Sequence, residues 1–233
     1  MREKVENAIK RIQEFEPDEG YFGAFSGGKD SVVLFDLVER AGVKVDWHFN
    51  KTTVDPPEVI RFIRSPFPGV AIDPPEITMW KLIEKKRFPP TRKIRYCCEW
   101  LKERGGKDRR VLTGIRWDES PRRKKRKIVE NCFQHAHKVF VNPIIDLSTA
   151  DVWKYTALRG LPVCSLYEVQ DRIGCVGCPF TGSRQRQAEL DRYPGFKRAY
   201  LRAFGKMLEA REDRGQETDW KTGQEVMDWW VSC

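Results

Sequence analysis

The chain has 233 residues, 43 Lys and Arg against 34 Asp and Glu, a formal charge of +9 and seven cysteines. That length supports a hydrophobic core without disulfides, and no apolar run approaches the roughly 18 residues of a membrane span, so a soluble protein is expected and a helical membrane protein is excluded. A charged, amphipathic start in place of a signal peptide points to a reducing cytoplasm, where clustered cysteines bind metal or do redox work, and the positive charge suits an anionic ligand such as a nucleotide or nucleic acid.

Val5, Ala8, Ile9, Ile12 and Phe15 recur at helical spacing over residues 2–15, and the helix stops near Pro17. Tyr21 to Phe25 reads as a strand running into a Ser-Gly-Gly turn, Ser31 to Glu39 as a helix and Val43 to Phe49 as the next strand. This is the β-loop-α-β opening of a parallel sheet. Prolines crowd residues 55–90, which predicts short helices and loops around a brief strand at Gly69 to Ile72. Strands are expected at Arg110 to Gly114 and Lys138 to Asn142, and a helix at Asp151 to Leu158 opened by Ser148 or Thr149 as cap. A charged helical segment, Ser183 to Arg214, and a Trp-rich piece, Val226 to Cys233, close the chain.

A strand that ends in two glycines and opens a helix points backbone N–H groups outward at the positive end of the helix dipole, which cradles phosphate oxygens. Ser26-Gly27-Gly28-Lys29-Asp30-Ser31 has this form. Lys29 adds a cation, Ser26 and Ser31 add hydroxyls, and Asp30 can hold magnesium or orient the amides. The pattern differs from a Walker loop, which requires G-x-x-x-x-G-K-[ST].

Cys97-Cys98 and Cys175-x-x-Cys178 are spaced so that four thiolates can reach one centre, either an iron–sulfur cluster or tetrahedral zinc. Gly174 and Gly177 loosen the backbone around the second pair, and Lys102, one helical turn beyond Cys98, can offset thiolate charge. Cys132 and Cys164 lack a partner at useful spacing and read as small core residues, while His135 and His137 read as structural. Arg122, Arg123, Lys124, Lys125, Arg126 and Lys127 form an unbroken basic run. It is either a solvated loop or a guide for a polyanion, the triphosphate or a nucleic acid, with Trp117 and Phe133 available to stack on bases.

Ser26 to Ser31 after a strand resembles the PP-loop of ATP pyrophosphatases, which cleave ATP between its α and β phosphates. The stretch Asn50 to Glu58, the stretch Gly114 to Ser120, and Asn142-Pro143-Ile144 leading to Asp151-Val152-Trp153 resemble, in this order, the phosphoadenosine phosphosulfate (PAPS) reductase family over roughly residues 20 to 185. The resemblance implies an α/β fold of the adenine nucleotide alpha hydrolase-like, PP-loop or Rossmann-like kind, a parallel twisted sheet flanked by helices. That domain is expected over residues 1–182, cysteine site included, with a helical C-terminal segment over 183–233. The resemblance further implies that Asn50 and Thr52 lie against adenine and ribose, and that Gly114 and Arg116 approach the nucleotide. Arg116 would fork onto phosphate or sulfate, unless it pairs with Asp118 or Glu119. The cysteine pattern resembles the [4Fe-4S] site of the family's adenylyl-sulfate reductases, with zinc as the alternative.

Two departures from the reductases shape the functional expectation. The Glu-Cys-Gly-x-His tail pattern is absent after Cys178, leaving Cys233 as the late nucleophile candidate with little nearby to lower its pKa. Lys29 and Asp30, in turn, keep the form associated with ATP. The leading expectation is an ATP- and magnesium-dependent sulfur-transfer enzyme that adenylates an acceptor and releases pyrophosphate, with Lys29, Asp30 and Arg116 catalytic and a sulfur donor such as a cysteine desulfurase as partner. One alternative is a sulfonucleotide reductase that releases sulfite through Cys233 and is recycled by thioredoxin. Another is a nucleotide- or nucleic-acid-binding accessory protein with little turnover.

Overall fold

The computed structural model describes residues 1–133 and 137–232, so His135 and Cys233 lie outside the described residues. Five strands run parallel: β1 (Tyr21–Ala24), β2 (Val45–Asn50), β3 (Ala71–Asp73), β4 (Arg110–Leu112) and, numbered by its place in the chain, β6 (Val139–Val141). A sixth, β5 (Val129–Asn131), runs antiparallel to β6 at the edge, and the sheet order is β3-β2-β1-β4-β6-β5. The expected parallel α/β sheet is therefore the observed one. β5 went unread because its three residues follow the basic run directly and carry no alternating pattern.

Tyr21, Phe22 and Gly23 of β1 are all buried, as a central strand covered on both faces requires. Helix α2 (Lys29–Ala41) carries the crossover from β1 to β2 and buries Val32, Val33, Leu34, Leu37, Val38 and Ala41. Against it lies α1 (Arg2–Glu14), whose apolar stripe buries Val5, Ala8 and Ile12. Helix α3 (Pro57–Arg64) crosses from β2 to β3. From β1 the chain goes to β2 and β3 on one side, then to β4 and β6 on the other. The sheet thus reverses its winding between β1 and β4, and ligands of open α/β sheets bind at the carboxyl end of such a switch point.

Helix α5 (Thr149–Arg159) starts where the cap residues predict. Ser148 accepts the Asp151 N–H at 3.1 Å, and the Asp151 carboxylate accepts the Ser148 N–H at 3.0 Å.

The chain divides into two compact units. The first comprises Met1–Asn50, Pro57–Asp73 and Gly105–Ile173 and holds the whole sheet. The second comprises Lys51–Pro56, Pro74–Arg104 and the chain from Gly174 onward. This differs from a boundary at residue 182, because the cysteine-bearing segments pack with the C-terminal helices. Val54, Tyr96, Cys97, Leu101 and Val176 share one apolar core with Tyr200, Phe204 and Trp230. The second unit contains α4 (Met79–Lys86), α6 (Ser183–Arg192), α7 (Pro194–Glu212) and α8 (Gly223–Ser232). The segment read as one helical stretch is split at Tyr193 because Pro194 lacks an N–H and suits only a helix start. No described helix is long and apolar enough to cross a membrane.

Candidate nucleotide site and cysteine centre

The loop from Ser26 to Ser31 leaves the carboxyl end of β1 and enters α2. Gly27 sits at φ +71°, a conformation that favours glycine, and an added Cβ would stand 3.0 Å from Val59. The Ser31 hydroxyl donates to the Gly28 carbonyl at 2.8 Å and accepts the Ser26 hydroxyl at 3.2 Å, which locks the turn from within. Gly28 is the N-cap of α2 and brings no side-chain oxygen to the first-turn amides. A helix start without an N-cap side chain is a place where backbone amides can meet an anion.

Asp30 is the hub of the site. One carboxylate oxygen accepts the Nε–H of Arg116 at 2.7 Å, and the other accepts from the Lys29 ammonium at 3.3 Å. Arg116 is only 1% exposed and also donates to the Leu147 carbonyl at 3.1 Å and to the Thr149 hydroxyl at 3.4 Å. It is fixed in turn by its own backbone, whose N–H is taken by the Glu119 carboxylate at 2.8 Å. Between the two openings from sequence, an anion fork or a surface pair with Asp118 or Glu119, the geometry is a third: a buried strut between the loop and the start of α5. Its Asp118 contact is longer, 3.7 Å.

Gly114 lies against the loop as well. A Cβ there would meet the Asp30 backbone at 3.1 to 3.2 Å, so its smallness admits the first turn of α2. Asn50 ends β2, next to β1, with its amide 3.2 Å from where a Gly105 side chain would begin.

Two residues passed over in sequence wall the lysine. The Tyr167 hydroxyl accepts the Lys29 N–H at 2.9 Å, and the Lys29 ammonium lies 5.5 Å from the Tyr167 ring and 6.0 Å from the Trp153 ring. The two rings meet edge to face at 5.2 Å. Burial raises the Tyr167 phenol to about 12, so it stays protonated at neutral pH. Trp153 was visible as part of a motif but not as a contact; Tyr167 sits in a short turn, Ser165–Glu168, with no periodicity to mark it.

Residues 20–181 match the profile of the phosphoadenosine phosphosulfate reductase domain. The chain belongs to that family. Solved structures similar to this PAPS reductase-family chain include phosphoadenylyl-sulfate (PAPS) reductase from Candida auris in a phosphate complex, 19% identical over 75% of this chain and 95% of that one, with a TM-score of 0.52. Candida glabrata FMN adenylyltransferase with FAD and inorganic pyrophosphate is 15% identical over 76% of this chain, at a TM-score of 0.54, and the chain spans 62% of its length. Yeast FAD synthetase in complex with FAD is 14% identical over 99% of this chain and 85% of that one, at 0.53. At these identities the likeness is one of fold, and the relatives so named are enzymes that act on nucleotides. No curated protein matches the sequence.

In this PAPS reductase-family protein the four paired cysteines all belong to the second unit. Cys97 lies in electrostatic range of Cys98, Cys175 and Cys178. Cys98 opens a wide helical turn, Cys98–Lys102. A hydrogen bond from Cys97, with Arg95 and Lys102 nearby, makes Cys98 the readier thiolate of that pair, while Cys97 is pushed up. Cys175, raised by burial, is 3.5 Å from the Thr52 hydroxyl, and Lys102 is held above its ordinary value chiefly by Cys175. Thr52 thus stands with the cysteines; its hydroxyl donates to Asp55 at 2.7 Å.

All described cysteines are free thiols, and with two cations beside them the donor chemistry fits an iron–sulfur cluster or zinc. Among the described residues no three His, Cys, Asp or Glu side chains are already arranged as a metal-binding group. Cys164 is a core residue, 1% exposed; Cys132 is half-buried and lies in the β5–β6 connection instead. His137 is exposed.

The basic run forms a short turn, Arg123–Lys125, in the first unit. Arg123 pairs with Glu119 and Arg126 with Glu130, whereas Arg122, Lys124, Lys125 and Lys127 are exposed. Trp117 is joined to the turn by its indole N–H, which donates to the Arg126 carbonyl at 2.8 Å. Phe133 is not: the pairing of Val129 with Val141 and of Asn131 with Val139 puts it beyond the other end of the hairpin.

Proposed function

We propose that this protein binds ATP with magnesium on the loop Ser26–Ser31 and cleaves it between the α and β phosphates, adenylating an acceptor in a sulfur-transfer reaction. An acceptor oxygen attacks the α phosphorus, the bond to the β-phosphate oxygen breaks and pyrophosphate leaves; a sulfur nucleophile then displaces AMP from the acceptor. What carries the reading is the Lys29–Asp30 pair, held rigid by a buried arginine at the start of α2. Lys29 places a cation beside the amides where charge builds on the departing pyrophosphate. Asp30 and Arg116 keep that cation and the first-turn amides aimed, so little reorganisation accompanies the reaction. Magnesium supplied with the nucleotide would neutralise part of the triphosphate charge, with Asp30 as the loop's own carboxylate.

Cys97, Cys98, Cys175 and Cys178 would hold a [4Fe-4S] cluster, which when bound supplies thiolate-ligated iron able to order this unit or to take up incoming sulfur. Support for it comes from the place of all four cysteines in the second unit and from Lys102 and Arg95 beside Cys98.

The test is product analysis on anaerobically purified protein. AMP and pyrophosphate should form from ATP, and lose at least tenfold in rate on Lys29→Ala. Sulfite from PAPS or adenylyl sulfate, with no pyrophosphate from ATP, would replace this reading with sulfonucleotide reduction. The family match favours that second reading, and its nucleophile candidate, Cys233, lies outside the described residues. Metal analysis of the same sample should return iron and acid-labile sulfide; a colourless protein with stoichiometric zinc would overturn the cluster.

A further inference from the structure

We infer that the turn following Glu119 is a docking surface for single-stranded nucleic acid, set beside the adenylating loop. Of the six cations in the run, Arg123 and Arg126 are neutralised by Glu119 and Glu130. Arg122, Lys124, Lys125 and Lys127 point their charge to solvent and form no ion pair among the described residues. Asp118 attracts Lys124 but accepts the Thr149 N–H at 2.7 Å. Four surplus cations within six residues supply the sequence-independent attraction that a run of backbone phosphates exploits.

The second observation is Trp117. Its N–H is spent on the Arg126 carbonyl, so the ring is fixed at the base of the turn, yet 37% of the residue stays exposed. A locked, half-exposed indole among cations is a platform on which a base stacks without paying to order the side chain. An unstacked base is accessible only in a single strand, which favours that over a duplex.

The turn is also wired to the phosphate loop within the first unit. Arg123 pairs with Glu119, Glu119 accepts the Arg116 N–H, Arg116 holds Asp30, and Asp30 holds Lys29. A strand on this turn is therefore the chemistry expected of an acceptor. That last step rests on the ATP reading, whereas binding of the strand does not.

The experiment is fluorescence anisotropy on the full chain with labelled 12-mer single-stranded RNA and DNA and a duplex control, over 50 to 200 mM salt. Four phosphate contacts predict a log–log salt slope of about −3, or roughly a 50-fold loss of affinity across that range. Replacing Arg122, Lys124, Lys125 and Lys127 together by Gln should weaken single-strand binding at least tenfold and flatten the slope, with the affinity for ATP and magnesium unchanged. Trp117→Leu should weaken binding severalfold, and Trp117→Phe, which keeps a ring but loses the hydrogen bond that fixes it, should restore only part of it. RNA bound over DNA, or the reverse, would identify the source of the strand. Unchanged binding in the Gln variant, equal binding of duplex, or loss of ATP affinity in the Gln variant would overturn the inference, the last by assigning the run to the triphosphate. Loss of ATP cleavage in the parent with strand binding intact would instead sink the ATP reading alone.

Discussion

Asp30 shows how much of the site depends on one carboxylate being held from two sides. Arg116 reaches it at 2.7 Å from a buried position and Lys29 at 3.3 Å. Truncating the buried arginine leaves Asp30 with Lys29 alone and takes the donor from the Leu147 carbonyl, so Arg116→Ala should cost about 3 kcal/mol, read as a lower urea midpoint with an unchanged m-value. Arg116→Lys should rescue little, because an ammonium cannot supply the planar donors that reach Asp30, Leu147 and Thr149 together. Full stability in the lysine variant would show that only the charge matters. Gly114→Ala tests the same corner through sterics: its Cβ would press on the Asp30 backbone, and ATP affinity should fall severalfold.

At the scale of elements, α2 and α5 begin in opposite ways. α5 has a full capping box from Ser148 and Asp151, and Ser148→Ala should lower stability by about 1 kcal/mol in chemical denaturation. α2 gets no cap from its N-cap residue, Gly28, and its first amide is taken instead by the distant Tyr167 hydroxyl. Asp151 also anchors Lys4 of α1 at 2.6 Å, and that hydrogen bond, with help from Ser148, holds its carboxyl well below the usual range. A folded pKa below the unfolded one adds stability that is present above about pH 4 and lost as pH falls through the folded value. Lys4→Ala should therefore make the acid limb of the stability profile shallower; an unchanged limb would place the acid sensitivity elsewhere.

These elements also show what the sequence could reveal. The phosphate loop, the α5 cap and the parallel β-loop-α-β opening were legible because each is written in local chemistry: glycines after a strand, Ser-x-x-Asp before an apolar run, a period that switches from two to 3.6. Arg116 was found but its task was not, since burial and the carbonyl of Leu147 depend on the tertiary fold. Tyr167 was missed for the same reason, its hydroxyl reaching Lys29 from far along the chain. Thr52 follows a sheet strand in sequence yet packs with Cys175, a separation that only the division into units reveals.

For the molecule as a whole, the sheet unit carries the phosphate loop and the basic turn, and the other unit carries the four cysteines. This division predicts that the two chemistries respond separately. Cys97→Ser with Cys175→Ser should abolish iron content, measured by inductively coupled plasma analysis, while an apolar core of Val54, Tyr200, Phe204 and Trp230 remains to keep that unit folded.

The central claim is that the glycine turn after β1 wraps a nucleotide's phosphates. Isothermal titration calorimetry with ATP and magnesium tests it most directly, comparing the parent with Lys29→Ala and with Gly28→Val, whose side chain would crowd Ser26 and Tyr167 from a Cβ only 3.3 to 3.4 Å away. Affinity should fall at least tenfold in each variant, with the fold retained by circular dichroism. Parent-like affinity in both would contradict it.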